Sequence, residues 1–323
     1  MFRHFRRGGA LAAFIVAVMP GLAAAQQVDF ATWKKALRAE VVGIGLRGET
    51  CDKALVNVAP IERVIELDRR QPEFTLTFDQ YFSRVVPKRR VLTGRKKLAE
   101  NIEILTEIGK KYGVQPRFIV AFWGVETDFG RLDGGFSVVA ALATLAHDGR
   151  RSKFFRGEII RAIRILDQGH ITPERMKGSW AGAMGNFQFM PSSFENFAVD
   201  YDGDGKRDIW RNKKDAFASA ANYLSKSGWK DDQTWGRRIA LPSGFDQKLI
   251  GLKVRKKMSE WQALGVRKVD GTALPKRELT ASLVQAKRGP VFLVYNNYRV
   301  ILKWNRSTFF AVAVGTLAER IGS

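Results

Sequence analysis

The sequence predicts an α+β fold, mainly helical, with a small β-containing subdomain near its C-terminal end. Three observations predict it. Apolar residues recur at helical spacing from about residue 30 to about 225, short runs broken by turn dipeptides replace them between about 230 and 300, and a helical pattern returns over 308–321. Runs of helices followed by clustered short strands are the pattern of a segregated α+β architecture. At 323 residues with 45% hydrophobic residues, the chain carries enough apolar material for a large core, which excludes a wholly disordered protein.

The first 25 residues read as a secretory signal rather than as fold. Arg3, Arg6 and Arg7 form its positive start, and the apolar run Ala10–Met19 is too short for the ~20 residues of a membrane span. Pro20 and Gly21 break the run, and Ala23-Ala24-Ala25 supplies a small-residue cleavage site. No cysteine stands there to take a lipid. The mature chain is therefore expected to begin at residue 26, to be soluble and periplasmic, and to keep no transmembrane anchor. Removal of three arginines lowers the formal charge from +22 to +19.

In the mature chain Phe30, Trp33, Leu37 and Val41 mark a first helix, with Thr32 placed to cap it. The stretch 94–112 sets Leu98, Ile102, Leu105 and Ile108 on one face and Lys96, Lys97, Glu100 and Glu103 on the other. Gly113 then suits a C-cap and Pro116 a helix start. Residues 116–129 are almost wholly apolar, and a helix apolar all round is a buried one. Further helices are expected at 138–146, 154–166 and 215–227, and the last at 308–321. Between them, Leu241-Pro242, Ser243-Gly244 and Asp270-Gly271 punctuate short runs, and 291–295 with 298–302 flank Asn296-Asn297 as a hairpin. The expected division is a signal at 1–25, a helical region at 26–235, a β-containing subdomain at 236–305, and a C-terminal helix at 306–323 that packs back on the helical body.

The lone cysteine, Cys51, excludes a disulfide framework and every cysteine-rich metal site, and three histidines (His4, His147, His170) argue against a histidine-rich one. Glu126 stands out instead. It lies near the end of the apolar helix, and burying an ionised carboxylate is costly, so such a group tends to be neutral or paired. A carboxylic acid kept neutral near pH 7 is what general acid catalysis requires; a salt bridge to one of the many arginines is the structural alternative. Asp128, two residues on, points to another helix face and reads as capping or structural. A second segment, 178–193, alternates Gly and Ala with Ser179, Trp180, Asn186 and Gln188, letting backbone approach a ligand among hydrogen-bonding groups; an ordinary helix–loop junction is the alternative.

These residues, Glu126-Thr127-Asp128-Phe129-Gly130 and Gly178 through Ser193, together with Asp200–Gly205, Ala221-Asn222-Tyr223-Leu224 and Phe292–Ser307, resemble the membrane-bound lytic murein transglycosylase B family over nearly the whole mature chain. The resemblance implies a lysozyme-like helical body and cleavage of the β-1,4 bond from N-acetylmuramic acid to N-acetylglucosamine in peptidoglycan, with 1,6-anhydro ends formed. It implies one carboxyl, Glu126, as acid and then base, where ordinary glycosidases use two. It further implies that Ser179 orients Glu126, that Gln188 contacts sugar hydroxyl or acetamido groups, that Met184 lines the groove, and that Trp304 and Asn305 lie near the cleavage point, with Trp304 offering a stacking face where some members carry Tyr.

Asp200, Asp202, Asp204 and Lys206, with a Gly at 205, resemble the start of an EF-hand calcium loop, but Arg211 occupies the twelfth position, which leaves Asp215 to close it. No cofactor is required for the implied activity; a structural calcium or sodium ion is expected at this loop, and an Asx-turn paired with nearby basic residues is the alternative. The basic residues from Lys248 to Arg277 include few aromatics, and an exported chain meets anionic envelope polymers, so nucleic acid is not expected as a partner. Peptidoglycan strands are, and other cell-wall enzymes are compatible partners. A muramidase would need a second carboxylate, and a silent binding module would lack Glu126.

Overall fold

A computed structural model describes residues 28–70, 76–287 and 289–323. The proposed signal segment lies outside the described residues. Among them, no helix is long and apolar enough to cross a membrane. The helical body opens with α1 (Phe30–Gly43), α2 (Gly48–Leu55), α3 (Glu62–Arg70), α4 (Phe78–Val85), α5 (Lys88–Glu100), α6 (Ile102–Tyr112) and α7 (Pro116–Thr127). It continues through α8 (Val138–Asp148), α9 (Ser152–Asp167), α10 (Pro191–Phe197) and α11 (Lys213–Lys226). Asp29, not Thr32, caps α1: its carboxylate accepts the backbone N–H of Thr32 at 3.0 Å. The stretch expected as one helix over 94–112 breaks at Asn101, where φ is −124°. The break turns Ile102 out to solvent while Leu105 and Ile108 stay fully buried. Gly113 closes α6 in the left-handed region and Pro116 opens α7, both as their conformational preferences dictate.

α7 is the core helix. Phe118 through Gly124 are buried without interruption, and α14 (Thr308–Gly322), equally apolar, packs along it together with α5. Gly124 makes one close approach possible: a Cβ there would stand 2.7 Å from the ring of Phe129, which folds back over the end of its own helix.

A five-stranded antiparallel sheet runs β4-β6-β7-β3-β5, from β3 (Gly236–Ala240), β4 (Lys256–Lys257), β5 (Arg267–Lys268), β6 (Thr280–Gln285) and β7 (Val291–Val294); β1 (Phe136–Ser137) and β2 (Lys177–Gly178) form a separate pair. Successive side chains of a strand point to opposite faces. Accordingly Val284, Phe292 and Val294 join the helical core, while Ala281, Leu283, Leu293 and Tyr295 join a smaller core around Trp261 of α12 (Met258–Ala263). The cross-strand pairs Leu283–Leu293 and Val284–Phe292 keep each face consistent. The sheet is therefore buried on both sides and fastened to the helices.

The expected hairpin over 291–302 does not form. Residues 291–294 are a strand, but Asn296–Trp304 is helix α13. Asn297 is completely buried; its side-chain amide donates to the carbonyls of Lys230 (2.7 Å) and Gln233 (2.9 Å), and its Oδ1 accepts Lys230 N–H at 2.8 Å. It anchors a neighbouring loop instead of making a turn. Cys51 is fully enclosed, and burial pushes its thiol up to about 11, which leaves it uncharged and inert.

Candidate active site

Glu126 is the penultimate residue of α7, one turn beyond Phe122 and on the same face. It keeps partial solvent access where most of the helix has none. Its Oε1 accepts a hydrogen bond at 2.8 Å from the indole N–H of Trp304, the last residue of α13. Burial pushes the carboxyl up to about 8, with the indole bond pulling the other way. Among the described residues no arginine or lysine pairs with it, so the salt-bridge alternative does not hold. At neutral pH the group is mostly a neutral acid, ready to give up a proton.

Asp128 meets the opposite fate. It ends α7 in the left-handed region (φ 50°), its side chain is enclosed, and it pairs with Arg89 at 2.9 Å, Arg90 at 3.1 Å and Arg131 at 2.8 Å. Burial alone would raise its carboxyl, but the hydrogen bonds from Arg89, Arg131 and Arg90 outweigh that and pull it to about 2. This depressed value stabilises the fold above the unfolded value of about 3.9, and the contribution is lost as pH falls through 2. Asp128→Asn tolerates the same backbone but loses the charge. It is expected to cost about 2 kcal/mol at pH 7 and to flatten the loss of stability between about pH 4 and 2, as read by urea unfolding across pH.

The end of α7 is tied to the segment that follows β2. Thr127 Oγ1 donates to the carbonyl of Asn186 at 2.8 Å and accepts Gly130 N–H at 3.0 Å. Trp123 Nε1 donates to Asn186 Oδ1 at 2.9 Å, and the Asn186 amide donates to the carbonyl of Trp210 at 2.8 Å. Asn186 thus joins the acid's helix, the 178–189 segment and the end of the acidic loop. The sequence marks Asn186 only as one of the hydrogen-bonding groups of its segment; its role as the tie to α7 follows from contacts 59 and 63 residues away.

Ser179 begins two successive tight turns. Its N–H donates to Ala183 O at 2.8 Å, and its Oγ accepts Ala183 N–H at 3.1 Å, which leaves the hydroxyl proton to donate. Gln188 holds φ at +49°, with its amide N donating to Asp133 O at 3.2 Å and Gly185 O at 3.1 Å, so its carbonyl oxygen is the group left to a ligand. Met184, expected to line the groove, has no exposed surface and bridges by backbone to Phe189 at 2.8 and 2.9 Å. It lies beneath the surface as core support because the turns at Gly182 and Gly185 fold the segment over it. Asn305 is exposed beside Trp304, with Oδ1 accepting Ser307 N–H at 3.0 Å.

Trp304 was expected as a stacking face. The structure adds its N–H bond to Glu126 and an aromatic surround: Phe122 at 4.5 Å, Tyr223 at 4.6 Å, Phe189 at 5.3 Å and Phe187 at 6.3 Å between ring centroids. Residues 178 positions apart meet here, which no local pattern could signal.

In the acidic loop the carboxylates of Asp200, Asp202 and Asp204 lie within 4.8 Å of one another, and Gly205 takes φ +86°. Lys206 is exposed, and its backbone N–H donates to Asp204 Oδ1 at 2.8 Å. Asp215, expected to close the site, is not part of this group. It is fully buried, and its two oxygens accept Tyr201 N–H and Asp208 N–H, both at 2.8 Å, so it clasps the two ends of the loop from beneath. In the basic stretch, Lys257, Lys268 and Arg277 pair with Glu278, Asp270 and Asp232.

Residues 29–319 match the family described as the Transglycosylase SLT domain. The chain is 35% identical over 232 residues to membrane-bound lytic murein transglycosylase B of Escherichia coli (strain K12), covering 68% of this chain and 60% of that protein. It therefore spans about three fifths of that relative's length. Among solved structures, SltB3 of Pseudomonas aeruginosa superposes with a TM-score of 0.89 at 43% identity, over 91% of this chain and 80% of that one, in a complex with NAG-NAM-pentapeptide. A second SltB3 structure, with NAG-anhNAM-pentapeptide, gives 0.88 at the same identity and coverage. The Escherichia coli transglycosylase Slt35 in complex with calcium superposes at 0.77 with 28% identity, over 90% of this chain and 92% of that one.

Proposed function

The chain belongs to the Transglycosylase SLT domain family, and from that membership we propose that it is an exported lytic transglycosylase that cleaves the bond from N-acetylmuramic acid to N-acetylglucosamine in peptidoglycan, leaving 1,6-anhydro ends. The observation that carries the reading is the half-buried Glu126, held neutral by burial to about pH 8 with no charged partner among the described residues. The relative SltB3 binds both a disaccharide peptide and its anhydro form, which supports the anhydro product.

Glu126 gives its proton to the glycosidic oxygen as that bond breaks, and the electron pair leaves with N-acetylglucosamine. Positive charge develops at the anomeric carbon of the muramic acid, partly shared by its own N-acetyl group. Glu126, now ionised, takes the proton of the C6 hydroxyl, whose oxygen attacks the anomeric carbon. No water is consumed and one carboxyl serves both halves. Asp128, pinned by three guanidinium groups, is unsuited to either role. Ser179 and Gln188 each retain one hydrogen-bonding valence for the acid or the sugar, and Asn305 presents its amide beside the cleavage point.

The test is to incubate residues 26–323 with purified peptidoglycan and weigh the products. Ends one water lighter than hydrolysed muropeptides are expected, whereas hydrated ends would make the protein a muramidase. Residues 1–25 act as the export signal, which places the mature protein in the periplasm, where its positive surface meets an anionic polymer.

The acidic loop is the candidate holder of a structural calcium ion. Three converging carboxylates and a left-handed Gly205 fit the first half of an EF-hand, and the calcium complex of Slt35 supports the assignment. Asp200, Asp202 and Asp204, with the backbone carbonyl of Lys206, would hold the ion, and Asp215 would keep the loop ends in place. Calcium at a hundredfold excess over Kd is expected to add about 2.7 kcal/mol of stability, seen as a higher Tm that falls again with a chelator. A Tm indifferent to both would leave the loop as an Asx-turn.

A further inference from the structure

We propose that Trp304 is a positioning residue for Glu126: its indole N–H fixes Oε1 as the accepting oxygen, so that the acid proton resides on Oε2 and faces the substrate. This rests on Glu126 being the acid and then the base. The geometry is a single 2.8 Å contact from Nε1 to Oε1. An indole nitrogen donates and never accepts. In the neutral acid it favours the carbonyl oxygen, the stronger acceptor of the two, which leaves the O–H on the other oxygen, untied. In the ionised state the same N–H donates to the carboxylate, now as a charge-assisted bond. The direction of the bond is thus unchanged through protonation and deprotonation. A phenol at this place would be free to reverse and accept the acid's proton, withdrawing it from the sugar.

The indole is built to hold that direction. Phe122, one turn before Glu126 on α7, packs against it at 4.5 Å, with Tyr223 at 4.6 Å and Phe189 at 5.3 Å. The backbone that carries it is pinned from α11: Tyr223 Oη donates to Lys303 O at 2.9 Å, and Lys303 Nζ donates to Ser227 O at 2.7 Å. Among the described residues no charged side chain acts on the Glu126 carboxyl. Tyr223 is the titratable neighbour of the indole, and burial pushes its hydroxyl further up, away from neutrality.

Two measurements test this. In the first, the indole N–H resonances of the eight tryptophans are followed by NMR against pH in the 15N-labelled protein. One is expected to titrate with a midpoint near 8, to stop titrating in Glu126→Gln, and to be absent in Trp304→Phe. Trp235, whose indole N–H is buried and has no hydrogen-bond partner among the described residues, is expected to behave alike in the wild type and in Glu126→Gln. Absence of any indole titration that depends on Glu126 overturns the proposal, whether or not Trp304→Phe folds. In the second, Trp304→Phe keeps the ring but loses the donor. It is expected to lower kcat about tenfold or more with KM little changed, and to move the alkaline limb to higher pH, because the bond that favoured the carboxylate is gone. A loss confined to KM, with the limb in place, would make Trp304 a sugar platform only and overturn the proposal. A wild type inactive on peptidoglycan would overturn the functional reading instead, and the NMR comparison would still decide the role of Trp304.

Discussion

Glu126→Gln is expected to lower turnover of peptidoglycan by about a thousandfold while leaving the fold intact. Gln has the same shape, and its amide oxygen still accepts the Trp304 N–H, so packing around α7 is preserved. Only the transferable proton is lost. Stability should move the other way. A buried carboxyl raised to about 8 binds a proton in the folded state that the unfolded chain has already released above about pH 4.3. That makes the wild type progressively less stable as pH rises from about 4.3 to 8, by about 4 kcal/mol at pH 7. Gln carries no such penalty. Urea unfolding at pH 5 and pH 8 should show the variant's advantage growing with pH, and product release within tenfold of the wild type would remove Glu126 from the chemistry.

Gly178→Ala is expected to cost about 3 kcal/mol and to reduce turnover about a hundredfold. A Cβ at this position would stand 2.1 Å from the carbonyl oxygen of Ala183 and 2.9 Å from Val138. The nearest obstacle is backbone, so no side chain can swing aside. That carbonyl also accepts the Ser179 N–H at 2.8 Å, and Gly178 pairs with Phe136 across β1 and β2. The methyl group would therefore push apart the turn that positions Ser179 and, through Asn186, loosen the end of α7. Gly135→Ala is the control, since nothing lies within 4 Å of a Cβ there. Equal stability and turnover in the two variants would show that the 178–189 segment yields easily.

The long amphipathic and all-apolar helices were legible because their apolar spacing is a local property. So was Glu126, a charge in a helix with no polar face. The failures share a physical cause. Asn101 breaks a helix that periodicity would have continued, and Asp29 takes the cap from Thr32 because a cap is decided by which side chain reaches an N–H. The run at 298–302 reads as a strand after Asn296-Asn297, yet Asn297 binds a loop some 64 to 67 residues away and the segment coils into α13. In the site, the pairings of Glu126 with Trp304 and of Thr127 with Asn186 span 178 and 59 residues, and side-chain type alone does not disclose them. Met184 lies in a segment rich in ligand-binding residue types, but burial depends on which way a turn folds.

α7 ends one residue after Glu126, with Asp128, Phe129 and Gly130 at φ 50°, 63° and 80° turning the chain sharply away. Helix termination at this point has an electrostatic result. The aligned peptide dipoles place about half a negative charge at the last carbonyls. That field opposes ionisation of Glu126, in the same sense as its burial. It also favours positive charge nearby, which on the proposed reaction is what develops at the sugar carbon as the bond opens. A helix ended one turn later would carry the same carboxyl in the middle of a neutral barrel of peptides, without that bias toward a cation.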